Sequence, residues 1–147
     1  MHMSLSTGGG LTYQYYDGTP LWPFGFGLSY TTFALHWHSA SHQITTRQAL
    51  EYASFAVTVT NTGSVTSDVT VLAFLSATQT GCKGQPQREL FAFCRLNAVV
   101  PLQSASCDLT VAASVVAHNA TVSEGAYAVV VELGDGVNIQ GGLRVTG

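Results

Sequence analysis

Nowhere in this chain do apolar residues keep a helical spacing for three turns. What recurs is short apolar–polar alternation, interrupted by Gly, Asn, Asp and Ser, and that period sends successive side chains to opposite faces of a strand. Residues 33–38 place Phe33, Leu35 and Trp37 on one face, the first two with Trp37 as core, and His36 and His38 on the other. Residues 53–61 alternate through Phe55, Val57 and Val59 and end in an Asn61-Thr-Gly63 turn. Residues 88–97 and 105–112 read as a hairpin through Val99-Val-Pro-Leu102. Residues 125–133 and 137–145 form another, across Asp135-Gly136, a pair favoured in tight hairpins. Together with residues 68–76 this predicts an all-β chain, an immunoglobulin or fibronectin type III-like antiparallel β-sandwich of about seven strands. Residues 40–52 are polar and mixed, and are expected to lie outside the strands, with a short helical turn at 48–51.

The 68–76 run departs from simple alternation. Val69, Val71, Ala73 and Leu75 occupy one face, yet Leu72 and Phe74 occupy the other. A strand with two apolar faces needs cover on both. Either a second layer of this chain or a neighbouring domain must supply it. Composition points the same way. Charged residues are only 9% of the 147, against 46% hydrophobic, so part of the surface is expected to be covered.

The segment Thr19-Pro-Leu-Trp-Pro-Phe-Gly-Phe-Gly-Leu-Ser-Tyr-Thr-Thr-Phe33 is the second constraint. It carries five aromatic residues, two prolines and two glycines in fifteen positions. Proline fixes φ, and glycine lets the backbone bend or approach another surface. A free loop has no reason to hold so many rings, so the segment is built to lie against something. Tyr13, Tyr15, Tyr16, Trp22, Phe24, Phe26 and Tyr30 are the candidates for docking or for stacking on sugar rings. The chain divides into a flexible or vector-derived lead at 1–10, an aromatic linker at 11–32 and a sandwich at 33–147.

Other chemistries find little support. A net charge of −3 without a basic run excludes a nucleic-acid reader, and no apolar stretch is long enough for a membrane helix. The eight carboxylates fall mostly at turns or outward strand positions, so no catalytic pair is assigned. His36, His38 and His42 are more simply exposed strand histidines than metal ligands, and no cofactor or metal is expected. Phe24-Gly-Phe-Gly-Leu-Ser29 is neither a nucleophile elbow nor a phosphate loop. Cys82, Cys94 and Cys107 allow one bridge and one odd thiol. Cys94–Cys107 would join strands around the Pro101 turn and Cys82–Cys94 would close a loop, while Cys107 also reads as a small buried hydrophobe. Asn119-Ala-Thr121 is a legal N-glycosylation acceptor between two predicted strands.

Pro20-Leu-Trp-Pro-Phe-Gly-Phe-Gly-Leu-Ser-Tyr-Thr-Thr-Phe33 resembles the signature that leads into the C-terminal fibronectin type III-like domain of glycoside hydrolase family 3, the β-glucosidase and β-xylosidase family. Val57-Thr-Val-Thr-Asn-Thr-Gly63, Pro86-x-Arg88-x-Leu90-x-x-Phe93-x-Arg95 and Gly125-Ala-Tyr127 resemble later blocks in the same order, so the resemblance spans roughly residues 11 to 146. Two positions depart from it: Leu72 stands where a polar residue is expected, and the hairpin near Pro101 lacks its usual glycine. The resemblance implies a non-catalytic accessory domain, because the family's catalytic acids sit in preceding domains. It implies the catalytic domains of a parent glycosidase as partner, and an extracellular location for that parent. The alternatives are a module that binds plant polysaccharide or lignin, and a free-standing structural or adhesive sandwich.

Overall fold

The computed structural model describes residues 12–38, 41–45, 52–77, 86–112, 117–118, 121–122 and 125–146. Its strands are β1 (Phe33–Trp37), β2 (Ser41–Thr45), β3 (Tyr52–Asn61), β4 (Ser67–Ala77), β5 (Glu89–Val99), β6 (Ser104–Ala112), β7 (Ala117–His118), β8 (Thr121–Val122), β9 (Gly125–Leu133) and β10 (Asn138–Thr146). No helix occurs among the described residues. A three-stranded sheet runs β1-β3-β6 and a five-stranded sheet runs β2-β10-β9-β4-β5, while β7 and β8 pair with each other. Seven strands of the two main sheets pair antiparallel, which is the fibronectin type III-like sandwich.

The predicted alternation sets the core. Phe55, Val57 and Val59 from β3 and Leu109 and Val111 from β6 face Val71 and Ala73 from β4 and Val129 and Val131 from β9, all fully buried. Each such large side chain contributes about 1.5–3 kcal/mol. Trp37 leans on Phe55 at 5.9 Å, and its indole N–H donates to the Gln140 carbonyl of the opposite sheet at 3.0 Å. The outer face of the three-stranded sheet is the reverse in character. There Thr58 meets Ser106 and Thr60 meets Ser104, hydroxyl to hydroxyl.

Residues 41–45 correct the sequence reading. They form β2, which pairs parallel to β10, Ser41 opposite Gly142 through Thr45 opposite Thr146. An edge strand of this kind is held by backbone hydrogen bonds, so its polar composition gave no alternating signal. The helical turn expected at 48–51 lies outside the described residues.

Asn61 is the buried polar residue of the described core. Its side-chain oxygen accepts from Thr31 Oγ1 at 2.8 Å and from Gly63 N–H at 3.1 Å. Its amide nitrogen donates to the Val65 and Val99 carbonyls, each at 2.8 Å. Both donors and both acceptors are therefore filled. One side chain ties the end of the aromatic segment to the β3–β4 turn and to the end of β5.

The β5–β6 connection crosses between sheets, so residues 88–97 and 105–112 do not form the expected hairpin: β5 pairs with β4 and β6 with β3. Gln103 N–H donates to the Val100 carbonyl at 3.1 Å, with Pro101 second and Leu102 third in the turn, and Leu102 has φ 61°. That is the type II pattern, whose third residue is usually glycine. Leu102 stands at the missing glycine. Nearby, Asp68 accepts from Arg95 at 2.7 Å and from the Ala98 N–H at 2.8 Å, where Ala98 also has positive φ. These two donors, Arg95 first, hold the Asp68 carboxyl below its ordinary pKa. Behind the turn, Cys94 of β5 is bonded to Cys107 of β6, with Cα atoms 6.6 Å apart. Cys82 lies outside the described residues.

Two outcomes follow for stability. Leu102→Gly should raise it by about 1 kcal/mol, because a left-handed non-glycine residue costs roughly that much and the leucine side chain is exposed. Cys94→Ala with Cys107→Ala should lower it by about 3 kcal/mol, the chain-entropy value for a closed loop of this length. Urea denaturation of each variant measures both.

Candidate interaction site

The outer face of β4 answers the question its sequence poses. Phe74 is fully buried and Leu72 nearly so, although both point away from the core. Their cover is the aromatic segment of the same chain. Phe24 meets Phe74 edge-on at 6.1 Å and 85°, and Tyr13 meets it at 6.1 Å and 67°. Tyr13 and Phe24 stack on each other at 4.4 Å. The Arg88 guanidinium lies 4.2 Å from the Phe74 ring centre, and the same group pairs with Glu132 through both nitrogens at 3.2 and 3.4 Å. A cation over a ring face is attracted by its quadrupole, and the carboxylate fixes that cation in place.

Backbone contacts fasten the segment along its length. The Tyr13 hydroxyl accepts from Leu90 N–H at 3.3 Å, and the Gln14 carbonyl accepts from Gln87 N–H at 2.6 Å. The Tyr15 carbonyl accepts from Gln87 Nε2 at 3.4 Å. Farther on, Gly27 N–H donates to the Gly134 carbonyl at 3.0 Å, and at its end the Thr32 carbonyl accepts from Thr62 N–H at 2.9 Å. Gly25, with φ +86°, lies directly on Leu72, where any side chain would strike the leucine methyl. A Cβ at Gly134 would fall 2.7 Å from the Gly25 carbonyl oxygen, so this hairpin residue must also be bare for the segment to pass.

The sequence candidates therefore separate into two sets. Tyr13 and Tyr15 are half-buried, and Phe24 rests on Tyr13 and Phe74 while remaining 42% exposed. Tyr16, Trp22, Phe26 and Tyr30 are exposed. Trp22 rests on Phe26 at 4.5 Å and 39°. Leu21, Leu28 and Tyr30 are the most exposed of the segment, at 84%, 93% and 92%. Within the segment the rings contact in pairs, Tyr13 on Phe24 and Trp22 on Phe26. Between the segment and the ends of β4 and β5 lies a groove of about 860 Å³, whose lining includes Tyr16, Trp22, Ser76, Gln87 and Arg88.

Three residues that organise this face were not among the sequence candidates. Phe74 carried a signal in the doubly apolar strand. Arg88 stood only within the Pro86-x-Arg88 block, and nothing in the sequence linked it to Phe74. Asn61 was legible as a turn residue but not as a buried hub. Among the described residues no group of three His, Cys, Asp or Glu side chains is placed to hold a metal. His36 on β1 and His38 just after it are exposed, and the His42 side chain and Asn119 lie outside the described residues. No helix of the described residues is long and apolar enough to cross a membrane.

No protein-family model matches the chain. Curated relatives do. The probable exo-1,4-β-xylosidase of Aspergillus flavus is 35% identical over 142 residues, which is 85% of this chain and 18% of the relative. Its counterpart in Aspergillus fumigatus is 32% identical over 94% of this chain and 20% of its own length. The chain thus spans about one fifth of the relatives it matches. Among solved structures, the GH3 exo-β-xylosidase XlnD superposes with a TM-score of 0.75 at 26% identity, over 94% of this chain and 20% of that one. β-Glucosidase 3B of Thermotoga neapolitana shares the fold, with a TM-score of 0.76 at 24% identity over 92% of this chain and 19% of its own.

Gly134→Ala should release residues 25–27 from the sheet and cost about 1–3 kcal/mol, the usual effect of forcing extra atoms into a packed contact. Hydrogen exchange checks it: the Gly27 amide should lose protection while the amides of β3 keep theirs.

Proposed function

Because this chain is homologous to one portion of the family 3 glycoside hydrolases, we propose that it is the accessory fibronectin type III-like domain that closes such an enzyme at its C-terminus. In this reading it contributes no catalytic residue. It presents apolar surface to the catalytic domains and holds them against the sandwich. The observation that carries the reading is the exposure of Leu21, Leu28 and Tyr30 on a segment otherwise pinned by its own sheet. Large apolar side chains held rigid in solvent are the mark of an interface rather than of a free surface. The low charge of the chain supports the same conclusion, as does the fraction of each relative that it spans. The parent's remaining four fifths is the partner of the right origin, and its substrate would be a β-linked xylose or glucose residue. The Cys94–Cys107 bond suits an oxidising compartment, and supports secretion of the parent.

The test compares the chain with a triple variant, Leu21→Ser, Leu28→Ser and Tyr30→Ser. The unsubstituted chain should bind an apolar dye and co-elute with the separately produced remainder of the enzyme. The variant should keep its stability within about 0.5 kcal/mol, as surface changes do, and lose both properties. Co-elution that survives the triple change would remove this face from the interface.

A further inference from the structure

The groove beside the aromatic segment has a chemistry of its own, separate from the docking residues. Its volume of about 860 Å³ falls within the roughly 300–1,000 Å³ of ligand pockets. Two ring faces flank it, Tyr16 at 44% and Trp22 at 65% exposure. Both are held before any ligand arrives. Trp22 leans on Phe26 at 4.5 Å. Tyr16 lies against Gly18 so closely that a Cβ there would be 2.5 Å from the phenol oxygen. Rings fixed in advance lose little entropy on binding.

The electrostatics narrow the ligand further. Arg88 is the charged residue of the lining, and Glu132 already meets its guanidinium through two hydrogen bonds. No carboxylate lines the groove among the described residues. Among the described lining residues an anion would find no free cation, and a cation no acid. The remaining polar side chains of the lining are neutral: the Gln87 amide, the Ser76 and Thr12 hydroxyls and the Tyr13 and Tyr16 phenols. A neutral molecule with flat apolar faces and a rim of hydroxyls meets every one of these conditions.

We propose that this groove binds a neutral oligosaccharide chain of pyranose units, stacked on Trp22 and Tyr16 and hydrogen-bonded by Gln87. The ligand is a single chain in a cleft and not a crystalline surface, because both rings line a groove together with Ser76 and Gln87. The site would deliver substrate-like glycans to the domain whether or not Leu21, Leu28 and Tyr30 dock a partner.

Calorimetric titration of the chain with xylotetraose and cellotetraose tests the proposal, beside tetragalacturonate as an anionic control. Saturable binding of at least one neutral sugar with a dissociation constant at or below about 1 mM is expected. Trp22→Ala and Gln87→Ala should each weaken it, the first by about tenfold or more. Both positions lie at the surface, and unchanged amides of β3 and β9, together with a Gly27 amide that stays protected, would verify that each variant is folded with its segment still on the sheet, since Gln87 Nε2 also donates to the Tyr15 carbonyl. Tyr30→Ala should leave binding unchanged. No saturation with either neutral sugar overturns the site, as does undiminished binding by Trp22→Ala or equal binding of the anionic control. A loss in Tyr30→Ala matching that in Trp22→Ala would move the ligand off the groove. Failure here leaves the docking reading standing, since that rests on different side chains and a different assay.

Discussion

A strand that is apolar on both faces dictates this architecture. β4 lies within the five-stranded sheet, and its inward Val71 and Ala73 are satisfied by the opposite sheet. Its outward Phe74 and Leu72 would lie bare on a two-layer sandwich. The aromatic segment is the third layer they require. Once it lies there, other features acquire their reasons. Gly25 and Gly134 must be bare for the backbones to approach, and Arg88 must reach back over Phe74. Asn61 then anchors the segment where it turns into β1.

The two broad faces of the molecule consequently have opposite characters. One is lined with Thr and Ser hydroxyls that pair across the strands, and suits water. The other is roofed by a ring-bearing segment whose inner residues are spent on the sheet and whose outer residues are free for a partner. This asymmetry fits a domain with one side against a larger body. It also explains how a chain with so few charges can be built: charge is needed only where solvent is permanent.

Much of this was legible in the residues. Short apolar runs located seven strands, most of them by period-two alternation, because burial on one face leaves a direct imprint on composition. The two-faced 68–76 run announced that something must cover it, but could not say what. Cover is a tertiary fact, and Phe24 reads the same whether it lies on Phe74 or on another domain. β2 escaped notice because parallel pairing at a sheet edge uses the backbone and leaves side chains unconstrained. Ala98 and Leu102 were opaque for a different reason. Neither residue favours positive φ, so the conformation is imposed on them by neighbours, Asp68 on the first and the Pro101 turn on the second. Leu102 was nevertheless foreshadowed by a glycine missing from the expected place. The segment's aromatics were singled out together, and only coordinates could separate those bound to the sheet from those left outside.

The pairing of β2 with β10 bears on the order of events as the chain leaves the ribosome. Ser41 emerges early, yet its partner Gly142 is among the last residues described. Until β10 arrives, β2 has no strand to pair with and β9 presents an open edge. Such non-local closure is slow, and an unpaired edge invites association with other chains. A sandwich of this design completes itself only at the end of its own synthesis. In a protein where it follows several other domains, the whole molecule would wait on that final strand.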